Sequence, residues 1–207
     1  MRDRRSSLTP AYTWNERSQR YRNSATGRFV PREQVRQALD IALDRSRNEV
    51  ARLSRELVNG RINLADWQTS VAREVKSMHM ASAALAKGGW AQMTPRDFGL
   101  VGSIVKQEYG HLAAFAAQVK SGEQKLDGTL LRRANMYALA PTGTYEETAR
   151  RGMAEQGKTE EQRILGSADH CDDCVRAADG QWHPLGTLPR IGQSVCMTNC
   201  RCRFVFR

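Results

Sequence analysis

Residues 31–60, PREQVRQALDIALDRSRNEVARLSRELVNG, place Val35, Leu39, Leu43, Val50, Leu53 and Leu57 at spacings of three, four and seven. Charged residues fall on the opposite side of that period, so the stretch predicts an amphipathic helix with one buried stripe. Pro31 suits its first turn, where no amide donor is needed, and Gly60 suits its end. The same period returns twice downstream. Asn63 is a natural cap for a run carrying Leu64, Trp67, Val71, Val75, Met78 and Leu85, which Gly88 and Gly89 stop. Thr94 and Pro95 open a third run carrying Phe98, Val101, Val105, Tyr109, Leu112, Phe115 and Val119 up to Gly122. Two shorter helical stretches follow, near 129–139 and from Thr144, where Thr144 and Glu147 have the spacing of a capping box. With no two-residue alternation between 31 and 156, the body at 31–158 is expected to be an all-α bundle with short loops. The fold class expected for the whole chain is therefore mainly α, with a helical bundle body and a small cysteine-rich C-terminal module.

The chain has 207 residues, 40% of them hydrophobic, and 32 Lys and Arg against 22 Asp and Glu, for a net charge of +10. No apolar run reaches the length of a membrane span, and the N-terminus has no apolar stretch behind its basic residues, so neither a membrane partner nor a secretory signal is expected. The excess charge points to a polyanionic partner. Half of it lies in residues 1–30, where Arg2, Arg4, Arg5, Arg17, Arg20, Arg22 and Arg28 stand against two acids, with Tyr12, Trp14, Tyr21 and Phe29 among them. This segment reads as a basic extended arm whose arginines contact nucleic acid or a protein partner, or as a solvated tail.

The body shows no nucleophile elbow, phosphate-binding glycine loop or paired-histidine metal motif. His79 and His111, on the second and third helices, have no acid or cysteine at supporting spacing and read as half-buried polar residues at helix interfaces.

All five cysteines lie in the module at 159–207, and none occurs before residue 171. Cys171 and Cys174 form a CxxC, and after 21 intervening residues Cys196, Cys200 and Cys202 form CxxxCxC. In a reducing compartment grouped thiols hold a metal more often than they pair, and an odd count leaves one thiol over in any disulfide scheme. Two thiolates three residues apart suit tetrahedral zinc. Cys171, Cys174, Cys196 and Cys200 make the best four, Cys202 competes for the last place, and His170 and His183 are reserves; disulfides or unligated thiols are the alternatives. A module this short buries too little apolar area to fold unaided, so the zinc would be structural. A catalytic zinc would need a nearby acid or base, for which Asp169, Asp172 and Asp173 are weak candidates. Gly180, Pro184, Gly186, Pro189 and Gly192 predict a looped connection, and 201–207, RCRFVFR, alternates like a short strand.

Cys171-Asp172-Asp173-Cys174, the Gly/Pro-rich stretch with Leu188-Pro189, and Asn199-Cys200-Arg201-Cys202 together resemble the tail of the phage head-morphogenesis family, the Mu F-like minor head proteins. Arg133 and Tyr137 in RRANMY resemble an arginine and a tyrosine that many members carry ahead of that tail. The likeness covers about the last 50 residues well. Members often carry His-Pro before the Cys-Arg-Cys, whereas Cys196-Met197-Thr198-Asn199 stands here, so Cys196 takes the histidine's place. The resemblance implies a low-copy structural protein of a tailed phage or prophage head, not an enzyme and without a small-molecule substrate. It would be made in the host cytoplasm and incorporated in the virion beside the portal, the major capsid protein and the packaged DNA. The alternative is a zinc-ribbon nucleic-acid-binding protein of a phage or mobile element, which the near-neutral charge of residues 161–207 (+1) disfavours.

Overall fold

A computed structural model describes residues 12–207 apart from Glu16 and Gln19. The periodic stretches form α1 (Arg32–Val58), α2 (Leu64–Lys87) and α3 (Pro95–Ser121), followed by the shorter α4 (Gly128–Leu139) and α5 (Pro141–Glu155). Their ends follow local chemistry. Asn63 accepts the Asp66 N–H at the start of α2, Thr94 and Asp97 cap α3 reciprocally, and Asp127 accepts the Thr129 N–H at the start of α4. Thr144, by contrast, caps nothing, because Pro141 already starts α5 at its first turn and leaves Thr144 inside the helix.

Helix α2 packs against α1, α3, α4 and α5 and is the spine of the bundle. One end of the core gathers Leu53, Leu57, Trp67, Val71, Leu112, Phe115 and Leu130; the other gathers Val35, Leu39, Leu43, Met78, Leu85 and Tyr145. Each such side chain contributes about 1.5–3 kcal/mol by leaving water. Trp67 keeps its indole N–H satisfied inside the first cluster by donating to Ser54 Oγ at 3.1 Å, and Ser54 donates in turn to the Val50 carbonyl at 2.8 Å. Phe98 and Tyr109 of the third periodic run are exceptions and face solvent.

The segment expected to be an extended arm is folded where it is described. Tyr12–Asn15 (β1), Arg20–Asn23 (β2) and Phe29–Val30 (β3) form an antiparallel sheet in the order β1-β2-β3. Gly27, at φ 67°, lets the chain turn between β2 and β3, while Asn23 Oδ1 accepts the N–H groups of Ala25 and Thr26. Alternation then puts Tyr12, Tyr21 and Val30 in the core and leaves arginines outside. The Tyr21 hydroxyl donates to the Ala86 carbonyl at 2.8 Å, and Trp14 N–H donates to the Gly88 carbonyl at 3.0 Å. Gly88, in the left-handed region at φ 87°, is required twice over, because a Cβ there would also lie 2.1 Å from the Trp14 Cβ. Arg2, Arg4 and Arg5 lie outside the described residues.

The C-terminal module begins at β4 (Glu160–Ile164) and continues through α6 (Asp172–Ala177), β5 (His183–Pro184) and β6 (Arg203–Phe206). Its antiparallel sheet has the order β5-β4-β6, with Arg163 opposite Phe204. The strand expected near the C-terminus is thus β6. No helix among the described residues is long and apolar enough to cross a membrane.

The two body histidines have opposite surroundings. His111 is exposed, not half-buried, because it lies on the outer side of α3. His79 is 1% exposed, and its Nδ1 lies 2.7 Å from Thr144 Oγ1. Burial holds its pKa down to about 4. The folded chain therefore keeps His79 neutral while the unfolded chain protonates it near pH 6.5, so stability is full above that pH and falls as pH drops toward 4. Denaturant midpoints measured across this window should show the wild type losing about 3 kcal/mol more than His79→Gln.

Candidate metal centre

Helix α5 carries three buried charged residues in succession along one face, Glu146, Glu147 and Arg150, and these seat the module on the body. Arg150 Nε stands 2.8 Å from Glu161 Oε2 on β4, an ion pair whose angle is too oblique for a hydrogen bond. Its Nη2 donates to the Leu188 carbonyl at 3.1 Å, and Glu161 Oε1 accepts the Leu188 N–H at the same distance. Glu146, paired with Arg36 of α1, accepts the Phe204 N–H at 3.3 Å. Glu147 lies 3.4 Å from Arg190. The docking face is polar inside and closed by aromatics: the Arg150 guanidinium lies 4.2 Å from the Phe204 ring centre.

On this seat the module brings all five cysteines to one place. Their sulfurs form two overlapping sets, Cys171, Cys174 and Cys196, and Cys174, Cys200 and Cys202, each with its members within 4.8 Å of one another. Cys174 belongs to both. Its Sγ is 3.6 Å from that of Cys196 and 3.7 Å from that of Cys200. All five are free thiols. Disulfide sulfurs lie about 2.05 Å apart, whereas thiolates around one tetrahedral ion with bonds of about 2.3 Å stand about 3.8 Å apart. The observed spacing and the soft donor set fit a metal ion. Local structure explains the convergence: Cys171 caps α6 and Cys174 lies in its first turn, while a 3-10 turn at Met197–Asn199 folds Cys196 back toward Cys200.

The neighbours of the sulfurs are fixed as well. Arg163, 1% exposed, points its Nη1 at Cys174 Sγ from 3.6 Å and donates through Nη2 to the Pro189 carbonyl. Burial and the adjacent thiols push the Cys196 and Cys202 thiols well above their ordinary pKa. Burial acts in the same direction on Cys200, but the backbone N–H groups of Cys202 and Gly192 outweigh it and hold that thiol below its usual value. The site thus favours a thiolate at Cys200 over Cys196 and Cys202, and a cation bound by either of those two would displace its proton.

Of the reserve ligands, His170 stands at the rim. Its Nε2 is 2.7 Å from the Gly166 carbonyl, which can only accept, so Nε2 donates and Nδ1 faces Cys202 Sγ at 3.8 Å. Gly166 is itself required there, since a Cβ would fall 2.1 Å from the Arg201 carbonyl. His183 is turned to Asp179, 3.1 Å away. Neither histidine joins a sulfur set among the described residues. Asp173 is occupied by Arg176 and the Val195 N–H, which ties α6 to the loop carrying Cys196. Arg133 and Tyr137 flank Phe115 in the body core, with the guanidinium 4.3 Å from the ring centre and the two rings stacked at 6.1 Å. Arg163, Glu161 and Arg150 were not read from the sequence, where charges in a short strand or on a helix look like solvent-facing residues.

No protein-family model matches this chain, and neither does any curated protein or solved structure.

Two variants test the centre. Cys174→Ser, which removes the sulfur common to both sets, should abolish stoichiometric metal binding measured by elemental analysis of the purified chain. Arg163→Leu should leave the five thiols in place but weaken metal affinity about 10–100-fold in a chelator competition.

Proposed function

We propose that this chain is a non-enzymatic minor capsid or head-morphogenesis protein of a tailed phage or prophage, with structural zinc in its C-terminal module. The observation that carries the reading is where the sulfurs lie. Cys174 and Cys202 have no exposed surface and Cys200 is 3% exposed, and they pack with Leu188, Ile191 and Phe204 as the core of the module, with Cys171 and Cys196 partly buried against it. Catalytic zinc keeps an open position for water or substrate, whereas a sulfur cluster that forms the core suits a structural ion. With Cys171, Cys174, Cys196 and Cys200 as ligands and Arg163 offsetting part of their charge, the zinc would supply the stability that about fifty residues cannot reach by apolar burial.

The tail motif supports the head-protein reading, and so does the form of the molecule: a helical body, a rigid cap mounted on α5, and a basic N-terminal face. The partners would be the portal, the major capsid protein or both. The excess positive charge is concentrated in residues 1–30, whereas residues 161–207 with the cysteines are near neutral, which speaks against a zinc ribbon as the nucleic-acid reader.

Quantitative mass spectrometry of particles purified from a host expressing the neighbouring gene set tests the proposal. The chain should be present in mature heads at a fixed low ratio to portal and major capsid protein. Its absence from particles while it stays soluble in the lysate would overturn the reading. Chelation of the purified chain should abolish amide-exchange protection across residues 160–207 while α1, α2 and α3 stay protected.

A further inference from the structure

The three-stranded N-terminal sheet has an outer face that neither the helical body nor the cysteine module uses. In its register Thr13 lies opposite Arg22, Arg22 opposite Phe29, and Asn15 opposite Arg20. Opposed residues share a face, so these five side chains form one outward surface. Arg17 and Arg28 in the flanking turns are also exposed. From residue 12 to 30 the sequence holds these four arginines and a single acid, Glu16.

The arginines differ from those elsewhere in the molecule. On α1, Arg52 is held by Glu49 and Glu56, and at the C-terminus Arg207 is held by Glu160, so those charges are largely neutralised by neighbours. On the sheet the positioning groups are uncharged. Arg22 Nε donates to the Gly27 carbonyl at 2.7 Å, and the Arg20 guanidinium lies 5.0 Å from the Phe29 ring centre. Among the described residues none of the four is paired with a carboxylate. The face is also firmly mounted, through Tyr21 and Trp14 on the end of α2. Among the described residues it therefore presents guanidiniums without a carboxylate partner, two of which, on Arg20 and Arg22, are held by uncharged groups and have less ordering entropy to lose on binding.

We propose that this outer face binds the phosphate backbone of duplex DNA. The inference rests on, and sharpens, the reading of the chain as a head protein beside packaged DNA. Backbone contact is favoured over base stacking on a single strand because the face carries a single aromatic ring, Phe29, against its arginines, and the Arg20 guanidinium already lies 5.0 Å from that ring's centre. A protein partner is disfavoured because Phe29 is the one apolar side chain among the five on the face, too little for an interface core.

Fluorescence anisotropy with the full, metal-loaded chain and a labelled duplex of mixed sequence tests the proposal. Binding should weaken linearly with the logarithm of salt. Arg20→Gln/Arg28→Gln should weaken it about tenfold or more and make the salt slope shallower by about two. Arg47→Gln/Arg52→Gln on α1 makes the same change in net charge and should stay within about twofold of wild type. Equal losses in the two double variants would reduce the effect to diffuse charge and overturn the proposal. So would a sheet variant that keeps full DNA affinity yet fails to enter particles, because the face would then serve a protein. Particle incorporation read in parallel separates the two readings: a chain that is absent from heads but binds DNA through the sheet retains this inference and loses the head-protein one.

Discussion

The buried pairing of Arg150 with Glu161 fixes where the C-terminal module sits on the body, and with it where the five sulfurs meet. Two charges taken out of water are costly unless each finds further partners. Here the same strand-to-helix contact supplies them: Arg150 also reaches the Leu188 carbonyl, Glu161 also takes the Leu188 N–H, and Glu147 and Arg190 extend the chain of charge along α5. A shift of β4 by one residue would turn both Glu161 and Arg163 outward and leave Arg150 buried without a partner. Register, docking and the placement of Arg163 beside Cys174 are consequences of one geometric solution.

The body supplies the rigidity that this arrangement needs. Helix α2 is surrounded by the other long helices, and its last turn carries the N-terminal sheet through the carbonyls of Ala86 and Gly88. One helix therefore holds the basic sheet at its end, while α5, packed along it, holds the cysteine module. The module has a small core in which sulfur takes the place of hydrocarbon, so a metal bound by those sulfurs would couple its occupancy to the folding of the module. Arg163 links the sulfurs to the seat, because one guanidinium touches both Cys174 and the loop at Pro189.

Much of this was legible from residue order. Val35, Leu39, Leu43, Val50, Leu53 and Leu57 are all buried as their spacing requires, Asn63 and Thr94 begin their helices and Gly88 stops one as their chemistry requires, and the CxxC and CxxxCxC do converge. Strand β4 was hidden because its inward residues are Glu161 and Arg163, which reverse the apolar alternation by which a strand is recognised. The N-terminal sheet was hidden by its arginines, since a segment with that much charge resembles a solvated arm until Tyr12, Tyr21 and Val30 are seen to share one side.

The sequence by itself determined the helical body, its boundaries and the grouping of the thiols, because these depend on neighbours a few residues apart. Only the tertiary structure decided that Cys174 stands at the centre of the sulfurs, that Arg163 backs it, and that Arg20 and Arg22 share the outer face of a sheet. Those features depend on groups tens of residues apart whose charges are tolerable, or useful, only in the company the fold provides.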